Sequence, residues 1–210
     1  GRFDKLKDPA GVVKMYKSVK NSGSVVDVFR LLRGGDFLDF MRAAKKSIDC
    51  QLLLAGGLAK DDPEGQEVYQ EVVRIAKGDK DIKILILPPF ADLDINVMQR
   101  ASYLVLQKSL REGFALTVSE ALWKGTPVVG GNTGGIPLQI INGVNGFLVN
   151  SIEEAADRVR FLLMNPQKAK EMGKAGREHV RKNFLITRHV RDHLLMYLTL
   201  ELIPRKLIQL

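Results

Sequence analysis

Glu112 and Glu120 stand in REGFALTVSEALWKGTPVVGG with seven residues between them, and no other stretch of the chain concentrates as much chemistry. It reads as a loop bearing one carboxylate, a helix bearing the second, and a buried apolar strand at Pro127–Gly130. A helix that starts within Phe114–Thr117 turns its first N–H groups outward with no intrahelical partner, a site suited to a diphosphate. A carboxylate accepts two O–H donors at once, which fits it to a diol. One glutamate before the helix and one inside it would then grip hydroxyls on either side of that diphosphate. The chemistry implied is recognition of a sugar nucleotide.

GRFDKLK at the N-terminus, the glutamate stretch and GGNTGGIPLQI, in this order, resemble the retaining glycosyltransferases of the two-Rossmann-domain type. That group contains glycogen, sucrose-phosphate and trehalose synthases. KDPAGVVKMY, DDPEGQEVYQEV and RKNFLITRHV are most similar to the trehalose synthases, and the resemblance covers residues 1–20 and 46–200. It implies a C-terminal, donor-binding domain that takes glucose from a nucleotide-glucose, such as UDP-glucose or ADP-glucose, to a sugar acceptor. With glucose as acceptor the product would be trehalose. It implies no cofactor, no metal, and an N-terminal acceptor domain that this chain lacks.

The same resemblance assigns roles to residues. Negative charge grows on the departing phosphate, so fixed cations belong there, and Arg2 and Lys7 match the family's basic pair, with Lys5 as a substitute for Lys7. Arginine engages two oxygens as a fork, while lysine acts as a movable point charge. Glu112 would orient the donor sugar, and Glu120 would accept from the ribose 2′- and 3′-hydroxyls. The N–H groups of Gly113, Phe114, Ala115 and Leu116 would reach phosphates or sugar. Gly134 and Gly135, before another helix start, would admit the ligand or simply allow a tight turn. Leu87–Phe90 would meet the base through main-chain groups.

The elements that must position these residues follow from hydrophobic patterning. Short apolar runs alternate with amphipathic stretches, which predicts an α/β domain: a Rossmann-like parallel sheet with helices on both faces. The strands are Gln51–Ala55, Ile82–Leu87, Tyr103–Gln107, Pro127–Gly130 and Gly146–Val149, apolar throughout as strands buried on both faces are. The helices between them are Pro63–Lys77, Ile95–Ala101, Leu116–Lys124 and Ile136–Asn142, with Asp62 capping the first and Gly125 and Gly143 in left-handed positions. C-terminal helices follow at Ile152–Met164, Gln167–Lys182 and Ile186–Leu200, then an apolar tail.

Two segments depart from the family pattern. In that pattern GRFD follows a central strand, and no such strand precedes it here; its absence would expose two sheet edges. Residues 21–45 are additional. Val25, Val28, Phe29 and Leu32 share one helical face and Phe37, Phe40, Met41 and Ala44 another, so the segment reads as an extra helical hairpin turning at Gly34-Gly35.

Composition excludes several classes. A 210-residue chain that is 45% hydrophobic supports one substantial core. No run of eighteen apolar residues and no leader segment is present, so neither membrane nor secretion is expected, and a reducing cytoplasm fits. The lone Cys50 excludes an internal disulfide or cysteine-cluster metal site. The formal net charge is +8, concentrated between Gln167 and His193. No aromatic residues interleave there as a nucleic-acid stacking platform requires, so solvated helices explain the charge better. His189 and His193 share a helix face, but no third metal ligand stands near in sequence. A homo-oligomer is left open. The rival reading is a non-catalytic nucleotide-sugar-binding or protein-interaction module of the same fold. A dinucleotide-dependent oxidoreductase lacks its glycine fingerprint.

Overall fold

The computed structural model describes residues 3–20, 48–58 and 63–202. After a 3-10 turn at Lys5–Lys7 the order is α1 (Pro9–Lys20), β1 (Leu52–Gly56), α2 (Pro63–Ala76), β2 (Ile82–Ile86), α3 (Asp92–Ala101), β3 (Val105–Gln107) and α4 (Leu116–Trp123). Then come β4 (Val128–Gly131), α5 (Ile136–Gln139), β5 (Gly146–Val149), α6 (Ile152–Met164), α7 (Pro166–Asn183) and α8 (Ile186–Leu202). All the strands predicted from apolar runs form, and their pairings are parallel.

Alternation within β4 shows why these strands carry no polar face. Val128 joins a core with Val118 and Leu122 of α4 and Val180 of α7. Val129, one residue on, joins the other core, with Val13 and Val19 of α1 and Leu162 of α6. Successive strand residues point to opposite faces, so helices cover both sides of the sheet. This is the Rossmann-like layering that the sequence predicts.

The sheet itself is in two parts. β1 pairs with β2, and β3, β4 and β5 form a separate ladder. Between the two parts lies a cavity of about 830 Å³, bounded by Leu52, Leu54 and Gly56 on one side and Val105 and Gln107 on the other. Among the described residues no strand joins the two parts. Phe3 is buried at the carboxyl end of β1, where its N–H donates to the Gly57 carbonyl at 3.3 Å.

Three helices differ from the sequence reading. α1, which the apolar patterning does not predict, carries a start signal of the same kind as Asp62-Pro63. Pro9 opens α1, and the Asp8 carboxylate accepts from the Gly11 N–H at 3.0 Å. α3 begins at Asp92 rather than Ile95, because two acids occupy its first turn before any apolar periodicity appears. α5 stops at Gln139, short of the Asn142 expected. The buried Asn145 side chain captures the next backbone groups, accepting from Ile141 N–H at 2.7 Å and donating to the Gln139 carbonyl at 3.1 Å. The helical hairpin read at 21–45, the Asp62 cap and the tail beyond Leu202 lie outside the described residues. No described helix is long and apolar enough to cross a membrane.

Candidate functional site

The loop after β3 and the turn before α1 are far apart in sequence and stitched together in space. Leu110 and Arg111 donate their N–H groups to the Leu6 carbonyl at 2.8 and 3.4 Å. Beside this seam Lys108, itself only 8% exposed, forms an ion pair with Asp8. Asp8 has φ +50°, a left-handed conformation that costs a non-glycine residue energy, and its two partners, Lys108 and Gly11 N–H, hold it there. The result delivers Lys7 to Glu112, and the two side chains form a largely buried ion pair. Lys5 turns the other way, to the exposed Glu67 on α2 at 3.8 Å. Of Lys7 and its substitute Lys5, Lys7 is the one that pairs with Glu112. Arg2 lies outside the described residues.

Glu112 is the most heavily bonded acid of the site. Gln107 and Ser109 both donate to its Oε2 at 3.2 Å, and the Gly113 N–H donates to its Oε1 at 3.2 Å. Burial pushes this carboxyl up, but the hydrogen bond and charge of Lys7, with the Ser109 and Gly113 donors, outweigh it and hold the group below the ordinary carboxylate range. A carboxyl that binds protons less readily when folded contributes stability above its unfolded value, and loses it as pH falls through the folded value. Glu112→Gln should therefore destabilise the chain at pH 7, and its deficit should shrink below about pH 4. Urea unfolding of both proteins across that range checks this; a deficit unchanged with pH would count against it.

The next residues form the amino end of α4. Ala115 is the cap residue, at φ +67° and with no side-chain capping bond, and Leu116 opens the helix. Phe114 packs its ring 5.7 Å from Phe184, and its carbonyl accepts from the buried Gln139 amide. Gly134 and Gly135 lie against this same backbone. A Cβ on Gly134 would stand 1.7 Å from the Glu112 carbonyl oxygen, and the Gly135 N–H donates to the Gly113 carbonyl at 2.6 Å. Their glycine character thus serves a close approach between two loops, a reason that neither sequence alternative named.

Glu120 projects from α4 toward α3, where Gln99 donates to its Oε2 at 3.0 Å. Lys7, Gln107, Lys108, Thr117 and Glu120 all line the cavity between the two parts of the sheet, at the strands' carboxyl ends, where open α/β sheets bind ligands. The structure therefore gathers the Lys7–Glu112 pair, the start of α4 and Glu120. Sequence reasoning missed the second set: Asp8, Gln99, Gln107, Lys108, Ser109 and Gln139. Only Lys108, a cation in an otherwise apolar run, carried a signal. Leu87–Phe90 follows β2, with Phe90 in a left-handed conformation and 95% exposed. His189 and His193 are exposed on α8 with ring centroids 4.1 Å apart, and among the described residues no group of three or more potential ligands is placed to hold a metal.

Comparison with known proteins identifies the family. The family model for glycosyl transferases group 1 matches residues 1–179. Trehalose synthase of Pyrococcus horikoshii is 46% identical over 161 residues, covering 76% of this chain and 39% of the relative. Trehalose synthase of Rubrobacter xylanophilus is 42% identical over 197 residues, covering 93% and 41%. The chain thus spans about two fifths of the length of these curated relatives. Sucrose-phosphate synthase from Thermosynechococcus elongatus superposes with a TM-score of 0.70 at 24% identity, over 95% of this chain and 44% of that one, a likeness of fold. With a family model covering residues 1–179, most of its length, this chain belongs to the group 1 glycosyl transferases.

Proposed function

We propose that this chain is the donor-binding domain of a retaining hexosyltransferase that moves glucose from a nucleotide-glucose to a sugar acceptor, with glucose as acceptor and trehalose as product. The observation that carries the reading is Lys7, held by Glu112, standing with Glu120 along one cavity beside the amino end of α4. An ammonium has three donors, so Lys7 can keep Glu112 while turning an N–H to a phosphate oxygen of the departing diphosphate. Arg2, at the start of the same segment, supplies the second cation. Glu112 meets the donor sugar, Glu120 the ribose diol, and the backbone at Gly113–Leu116, braced by Gly134 and Gly135, the phosphates. The reading calls for no metal and no cofactor beyond the donor itself, UDP-glucose or ADP-glucose. The similarity to trehalose synthases supports glucose as the acceptor.

The acceptor belongs to polypeptide outside this chain in the proposal. α8 buries none of its residues and leaves Val190, Leu194 and Tyr197 at 49%, 58% and 59% exposure, as a helix does that packs on a further domain. Calorimetric titration with ADP-, UDP- and GDP-glucose tests the donor site. One of them should bind, and Glu120→Ala should weaken it by about tenfold or more. No binding in all three titrations would leave only the interaction-module reading. Trehalose formed by the 210-residue chain alone would overturn the assignment of the acceptor to another domain.

A further inference from the structure

Glu120 and Lys124 are four apart on α4, a spacing at which glutamate and lysine ordinarily pair on a solvated helix face. Here a third residue stands between them. Lys124 donates its ammonium to Gln99 Oε1 at 2.6 Å, and Gln99 Nε2 donates to Glu120 Oε2 at 3.0 Å. Gln99 is 6% exposed on α3. Its amide orientation follows from chemistry: an ammonium only donates, so the amide oxygen must face Lys124 and the NH₂ must face Glu120. The backbone beneath it is fixed independently, because Thr126 Oγ1 donates to the Gln99 carbonyl at 2.8 Å.

We infer that Gln99 is a positioning residue for the nucleotide's ribose: it holds one oxygen of the Glu120 carboxylate, keeps Lys124 from capturing it, and leaves the other oxygen turned to the diol. The inference rests on the reading of Glu120 as the ribose-binding acid. A direct Glu120–Lys124 pair would occupy the acceptor with a cation and fix it in another rotamer. The interposed neutral amide supplies one hydrogen bond and no charge, so the carboxylate stays an anion with free lone pairs where hydroxyls arrive. α3 is thereby tied to ligand recognition through Glu120.

The test separates the diol from the rest of the nucleotide. The 210-residue chain is titrated with ADP, UDP and GDP and with the 2′,3′-dideoxy counterpart of whichever binds. Wild type should prefer the ribonucleotide, and in Gln99→Met, which keeps the side-chain length, ribonucleotide affinity should fall by about tenfold while dideoxynucleotide affinity stays unchanged. Gln99→Asn, which keeps a neutral amide but is one methylene too short to hold Glu120 and so guards against a folding failure, should show the same selective loss. Equal losses for both nucleotides, or a ribose preference kept in both variants, would overturn the inference alone. A wild type that does not distinguish the two, or binds none of the three diphosphates, would remove the Glu120 reading and this inference with it.

Discussion

Alanine at Gly134 is expected to destabilise the chain by about 3 kcal/mol, lowering the melting temperature by about 10 °C. Two costs add. Gly134 sits at φ +54°, where an L side chain is strained. Its new Cβ would also lie 1.7 Å from the Glu112 carbonyl oxygen and 2.7 Å from the carbonyl carbon, and backbone cannot step aside as a side-chain tip can. The two loops must separate, pulling Gly113 and Phe114 away from the hydrogen bonds made by Gly135 and Gln139. Gly143→Ala is the control. That glycine is at φ +80°, and a methyl group added there would meet nothing within 4 Å, so only the strain of about 1 kcal/mol remains. Thermal and urea unfolding of the two variants should differ accordingly; equal losses would mean that the loop contact contributes nothing.

Replacing Lys7 with methionine is expected to weaken binding of a nucleoside diphosphate by roughly ten- to a hundredfold, the range of one charge-assisted hydrogen bond. The loss has two sources under the proposed function. A phosphate oxygen forfeits its cation, and Glu112, whose side chain is 11% exposed, becomes an uncompensated negative charge beside the phosphates. Lys5→Met removes the same formal charge two residues away but leaves the Glu112 pair intact, since Lys5 pairs with Glu67. Its affinity should match wild type. Calorimetry on both variants decides the matter: a parallel loss would reduce the effect to long-range charge, and no loss in Lys7→Met would take the cation out of the site.

Much of this was legible from residue order. β4 shows the reason: a run of small and branched apolar residues closed by glycine has a single low-energy use, a strand buried on both faces, and neighbouring Val128 and Val129 do enter opposite cores. The start of α4 was legible for a similar reason, because helix ends depend on local groups. α5 failed as a reading because its end is set by Asn145, a residue beyond the helix whose amide takes over the backbone. The additional segment at 21–45 lies outside the described residues.

Residue types and spacing determined the family, the layering and the start of α4, since periodicity and motif chemistry act over a few neighbouring residues. Only the tertiary structure decided that Lys7 rather than Lys5 meets Glu112, that Gln99 intercepts Lys124, and that Gly134 is pressed on a carbonyl. Those outcomes depend on which groups the fold brings within hydrogen-bonding distance from 21 to 105 positions away, and side-chain order along a chain carries no such distances.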